Sequence, residues 1–96
     1  MSVKVNRISI DGALVTSMDG FYDELARKLP LPAHFGRNLD ALWDVLTVDL
    51  EGPLEIIWQR ADLSKKSLGR EFTVIAALFA EVSEERDDFS FQLVNN

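Results

Sequence analysis

Residues 54 to 58 read Leu-Glu-Ile-Ile-Trp, a nearly continuous apolar run set between Gly52-Pro53 and Gln59-Arg60. A run this short, closed by turn residues on one side and polar ones on the other, fits a strand covered on both faces, the habit of parallel sheets. Parallel neighbours cannot be joined by a tight hairpin and need long, usually helical, crossovers. The rest of the chain must therefore supply further strands separated by helices.

It does so in order. Val3 to Ile10 carries β-branched residues and ends in the turn signal Asp11-Gly12, which predicts a first strand. Its apolar residues change phase between Val5 and Ile8, as burial on both faces or a bulge would require. Thr16 and Ser17 offer an N-cap, Asp19 suits the first turn, and Phe21, Tyr22, Leu25 and Leu29 recur at helical spacing, predicting a helix from about Met18 to Leu29 that Pro30 and Pro32 stop. In the loop Pro-Leu-Pro-Ala-His-Phe-Gly-Arg-Asn, Gly36 can take a positive φ and Asn38 is a strong N-cap for a second helix, Leu39 to Leu50. Ala61 to Gly69 is polar, with room for one short helical turn. Phe72, Ile75, Leu78, Phe79 and Val82 mark one face of a helix from about Arg70 to Glu84, and residues 89 to 94 close the chain as a third strand. The expected fold class is α/β: a small three-stranded parallel sheet packed with helices, in the order β-α-α-β-(short α)-α-β.

Ninety-six residues suffice for one domain with one modest core, so residues 1–96 are expected to form a single domain. The absence of cysteine removes both disulfide support and thiolate chemistry, and fits a reducing compartment. The first ten residues lack the apolar core of a signal peptide, and no run approaches the length of a bilayer span, so a cytoplasmic protein is expected. Sixteen acidic against ten basic residues give a formal charge of −6. A field of that sign repels nucleic acid and anionic membranes and attracts basic partners, although the same charge serves solubility alone.

The second helix is where chemistry could sit. At roughly 100° per residue, Leu39, Leu42, Leu46 and Leu50 form a buried stripe, while Asp40, Asp44 and Thr47 cluster roughly 100° to 160° from its centre, with Trp43 at the border. Like charges four residues apart repel by a few tenths of a kcal/mol. As plain surface, Asp40 is a first-turn carboxylate and Trp43 a cap on the core; as a binding face, the same residues present two carboxylates and an indole on a rigid element. Two carboxylates side by side on one helix do not enclose a substrate, and a metal would need ligands beyond the single His34, so neither an enzyme nor a metal or cofactor site is expected. His34 sits in a Pro-flanked loop within reach of the same patch.

The segment Leu-Pro-Ala-His-Phe-Gly-Arg-Asn-Leu-Asp-Ala-Leu-Trp-Asp-Val-Leu-Thr, residues 31 to 47, strongly resembles the central signature of the barstar family of intracellular ribonuclease inhibitors, and the similarity runs from about Asn6 to Val94. That resemblance implies a three-stranded parallel sheet with helices packed on it. It also implies a 1:1 complex with a basic, barnase-like, guanyl-specific ribonuclease by a chain that is a monomer when free. The second helix and the loop before it would enter the nuclease cleft. Asp44 would occupy a phosphate subsite and Asp40 would face the basic rim. Trp43, His34, Phe35, Gly36 and Thr47 would shape the contact, with Glu81 at its periphery. Phe35, following a Pro-rich loop, could equally pack on the core. The chain departs from the family at His34, where a tyrosine is usual, at Arg37, which replaces an acidic residue, and at Asp49, which replaces a tryptophan. An immunity protein against a delivered nuclease toxin, or a non-inhibitory interaction module of the same fold, would carry the same signature.

Overall fold

A computed structural model describes residues 6–95. Strand β1 spans Asn6–Asp11 and helix α1 Met18–Lys28; α2, Leu39–Asp44, runs on into a π-helical turn at Val45–Asp49. Strand β2 (Leu54–Gln59), helices α3 (Ala61–Leu68) and α4 (Arg70–Glu85) and strand β3 (Phe89–Leu93) complete the order. The expected β1 residues Val3 to Val5, and with them the phase change at Val5, lie outside the described residues.

The three strands lie side by side as β1-β2-β3, both pairs parallel, with Ile10 opposite Trp58 and Trp58 opposite Leu93. Because side chains alternate along a strand, this register puts Ile8, Ile10, Leu54, Ile56, Trp58, Phe89 and Phe91 on one face and Arg7, Ser9, Glu55, Ile57, Ser90 and Gln92 on the other. Only the first face carries the core, with Ile8 and Phe91 half-buried at its edges. Ile10, Ile56 and Trp58 are wholly buried there against Phe21 and Leu25 of α1, Leu42 of α2 and Phe72, Ile75 and Phe79 of α4. The expectation that β2 is buried on both faces is corrected: Glu55 and Ile57 are half-buried, and Arg7 pairs with Glu55 across the open face. With three short strands, the helices gather on one side, and Ile57 was the residue that made the run look two-sided.

Aromatic rings fill the layer between sheet and helices. Trp58 stacks on Phe21 at 5.5 Å between centroids and meets Phe72 edge-on at 5.1 Å. Its indole Nε1 donates to Ser64 Oγ at 3.0 Å, and that hydroxyl donates to the Gly12 carbonyl at 2.9 Å, so the one polar atom of a fully buried tryptophan is satisfied. This bond also explains why Ala61–Leu68 makes two helical turns where the sequence promised one: Ser64, Ala61 and Leu68 form a buried stripe within an otherwise polar segment.

Helix ends follow their caps. Ser17 accepts the Gly20 amide at 3.0 Å, with Asp19 in the first turn and Arg27 and Lys28 in the last, the charge arrangement a helix dipole favours. Glu24, buried on α1, accepts the Asp11 amide at 2.9 Å and two bonds from Arg27, which ties the helix to the end of β1.

Two carboxylates outside the core make the fold sensitive to acid. The Ala13 amide and the Arg60 guanidinium hold Asp11 below the usual carboxylate value, and the Arg86 guanidinium does the same for Asp88. A lowered folded-state value adds stability that is complete above the unfolded value and vanishes as pH falls through the folded one. Melting temperature is therefore expected to be flat from pH 7 to 5 and to fall below about pH 4. Asp88→Asn should flatten part of that fall; an unchanged profile in this variant would remove Asp88 from the account.

Candidate protein-binding site

The loop before α2 is built to deliver that helix in one orientation. Phe35 closes a turn onto the Pro32 carbonyl at 3.0 Å and packs edge-on against Tyr22 of α1, ring centroids 5.9 Å apart. Phe35 is thus half-buried against the core, the packing role open to it from sequence, while still lining the groove described below. Asn38 caps α2 by accepting the Ala41 amide at 2.8 Å, and its amide nitrogen donates to the Gly36 carbonyl at 3.1 Å. The left-handed residue is Arg37, at φ 50°, and not Gly36 as expected. Gly36 is needed for closeness instead, since a Cβ there would meet Asn38 Nδ2 at 3.0 Å and Ala41 Cβ at 3.5 Å. Arg37 is held in its uncommon conformation by reaching back to α1: it lies over the Tyr22 ring at 5.6 Å, pairs with Asp23 at 3.1 Å and Asp19 at 3.5 Å, and donates to the Asp19 carbonyl. Removing the cap with Asn38→Ala should cost about 1 kcal/mol, read as a lower midpoint in urea unfolding, with Asn38→Ser restoring most of it.

On α2 the expected buried stripe is present. Leu42 and Leu46 are fully buried, Leu50 is buried and Leu39 half-buried, and Val45, which the wheel left out, joins them. Asp40 and Asp44 are exposed; Trp43 is half-buried against the core at the edge of the stripe. Thr47 is half-buried and spends its hydroxyl on the Trp43 carbonyl at 2.7 Å, so it contributes shape more than a free donor.

Five of the candidate site residues fall in two shallow grooves. His34, Phe35, Gly36, Asp44 and Asp49 line one of about 160 Å³. Asp40 opens on a neighbouring one of about 500 Å³ shared with Arg37, Tyr22 and Glu71. Trp43, Thr47 and Glu81 line neither; Glu81 is exposed on α4. Sequence reasoning did not place Asp49 beside Asp44, nor Val48 among the contact candidates, though Val48 is 77% exposed on the turn that follows Asp44. The reason is geometric. Positions five apart in an α-helix are rotated by roughly 140°, which puts Asp49 on the apolar side; a π turn closes its bonds five residues apart and brings the two carboxylates to one groove.

Chemically, this face asks for a donor. Among the described residues, neither Asp40, Asp44 nor Asp49 has a Lys, Arg or His nitrogen within 4.0 Å, whereas the carboxylates of α1 and of the strand ends are paired. Carboxylates accept and do not donate, so a complementary surface must bring guanidinium, ammonium or imidazolium groups. No three His, Asp or Glu side chains converge as metal ligands among the described residues, and no helix there is long and apolar enough to cross a membrane.

Two comparisons bear on this face. A family model described as Barstar (barnase inhibitor) matches residues 5–95. A Bacillus subtilis (strain 168) protein named "Putative ribonuclease inhibitor YrdF" is 35% identical over 86 residues, which cover 88% of this chain and 94% of that protein.

Proposed function

This chain belongs to the barstar family, and from that premise we propose that it inhibits a basic ribonuclease by seating α2 and the loop before it in the nuclease active site. The observation that carries the reading is the unpaired state of Asp40 and Asp44, with Asp49 unpaired beside Asp44, on a capped, core-anchored helix, while Asp19 and Asp23 of the adjoining α1 are neutralised by Arg37. Asp44 takes the place of an RNA phosphate opposite the catalytic cations, and Asp40 meets the basic rim. Trp43, His34, Phe35, Gly36 and Thr47 fix the shape of the plug, and Glu81 makes a peripheral contact. Preorganisation is what makes such mimicry effective, because a capped and anchored helix loses little conformational freedom on binding. The complex is 1:1, formed by a monomer inside the cell, and the target is a barnase-like, guanyl-specific enzyme or one whose cleft accommodates His34 where the family usually has tyrosine. The chain is an inhibitor and not an enzyme.

The test is titration of the purified protein into a panel of small basic ribonucleases while RNA cleavage is followed. Stoichiometric inhibition of at least one enzyme, weakening as salt rises, is the expected result. Failure to bind any basic nuclease would overturn the proposal in favour of an interaction module that has kept only the fold.

A further inference from the structure

The π turn is contacted by a side chain forty residues further along the chain. In an α-helix the Leu50 amide would bond the Leu46 carbonyl, four residues back. Here it bonds the Val45 carbonyl at 3.0 Å, five residues back, and the Leu46 carbonyl accepts Arg86 Nη1 at 2.7 Å. The same nitrogen donates to the Leu50 carbonyl at 2.9 Å. On its other side the guanidinium forks onto Asp88, Nε to one oxygen at 2.8 Å and Nη2 to the other at 2.9 Å.

The fork is itself fixed at both ends. The Arg86 amide closes α4 on the Val82 carbonyl at 2.9 Å, and the Asp88 carbonyl takes the Leu54 amide at the start of β2 at 2.8 Å. A side chain at Gly52 would collide with the Asp88 carboxylate, so the chain leaves room for the pair. No basic residue lies in the last turn of α2 or in the π turn, which makes Arg86 the cation at the negative end of this helix.

Resting on the inhibitory reading above, we infer that Arg86 is a positioning residue for the binding face: by occupying the Leu46 carbonyl it forces residues 45–49 into π geometry and so sets Asp49 and Val48 relative to Asp44. It need not touch the partner. Without it the Leu50 amide recovers its α-helical acceptor, and Asp49 swings out of the groove it shares with Asp44 and His34.

The test separates the turn from the inhibition. Through-hydrogen-bond NMR couplings identify the carbonyl that accepts the Leu50 amide: Val45 in the unmodified chain, Leu46 in Arg86→Ala. The same variant should inhibit a ribonuclease that the unmodified chain inhibits about tenfold or more weakly. Ser64→Ala, which loosens the core around Trp58 and leaves α2 alone, is the control for lost stability. Asp88→Asn keeps the cation while weakening the fork, and should show an intermediate loss even where Arg86→Ala folds poorly. A Leu50 coupling that stays on Val45 in Arg86→Ala, or a loss of inhibition no larger than that of Ser64→Ala at equal melting temperature, overturns the inference. Should the unmodified chain inhibit no ribonuclease, the functional reading falls and the positioning role with it, while the coupling still decides whether Arg86 sets the turn.

Discussion

Asp44→Ala is expected to weaken inhibition by about 2–5 kcal/mol, roughly 30-fold to several-thousand-fold, through faster dissociation. That is the general range for a charge pair desolvated on binding, which complexes of this family helped to define. The size follows from asymmetry: truncation removes one acceptor and also strands the partner's cations in a closed interface without a counter-charge. Asp44 reaches that position from the first turns of a helix held by Leu42 and Leu46, so little freedom is lost when it binds. Glu81→Ala, at an exposed site on α4 outside both grooves, should cost under about 1 kcal/mol and act mainly on the association rate. Inhibition constants at several salt concentrations check both variants. Equal effects of the two, or an Asp44 variant as potent as the parent, would locate recognition elsewhere on the molecule.

The second large effect concerns folding. Trp58→Ala removes the ring that Phe21, Phe72 and Phe79 surround, a side chain with no solvent exposure, together with the donor that Ser64 accepts. Truncations of this kind cost about 3–5 kcal/mol. Against a total of about 5–15 kcal/mol for a natural domain, that is a loss of a fifth or more, and a melting temperature lower by more than about 12 °C. Trp58→Phe keeps most of the packing and gives up the hydrogen bond to Ser64, so it should fall between the parent and the alanine variant. Chemical unfolding followed by circular dichroism distinguishes the three. A midpoint for Trp58→Ala within error of the parent would contradict the core described here.

The strands and helices were legible because their signals are local. Ser17 and Asn38 cap helices where the sequence placed their starts, the prolines after Leu29 stop α1, and the spacing of Phe72, Ile75, Phe79 and Val82 is that of a helix buried on one side. The parallel sheet followed from the order of those elements. What escaped the sequence depends on contacts between distant residues. Ile57 reads as a core residue in a run of apolar neighbours, and only the register with Ser9 and Gln92 shows that it lies on the open face. The π turn has no local signature because the group that selects it, Arg86, lies beyond two further helices and a strand. Arg37 was readable as a charge near the binding face, but its backbone conformation and its pairing with α1 depend on where Asp19, Tyr22 and Asp23 come to rest. Of the candidate site, the carboxylates and the indole were legible as a cluster on a helical wheel; the division into two grooves, and the entry of Asp49 into one of them, were not.

The one-sided sheet gives the molecule a back. Its face of Arg7, Ser9, Glu55, Ser90 and Gln92 lies across the strands from the helix that bears Asp40 and Asp44, and takes no part in the aromatic core. Sequence can drift there without reshaping the plug or the packing beneath it. It is also the natural place to attach a dye, a surface linker or a fused domain, since a tether leaving from Gln92 would hold the protein by its reverse side and leave the acidic front clear.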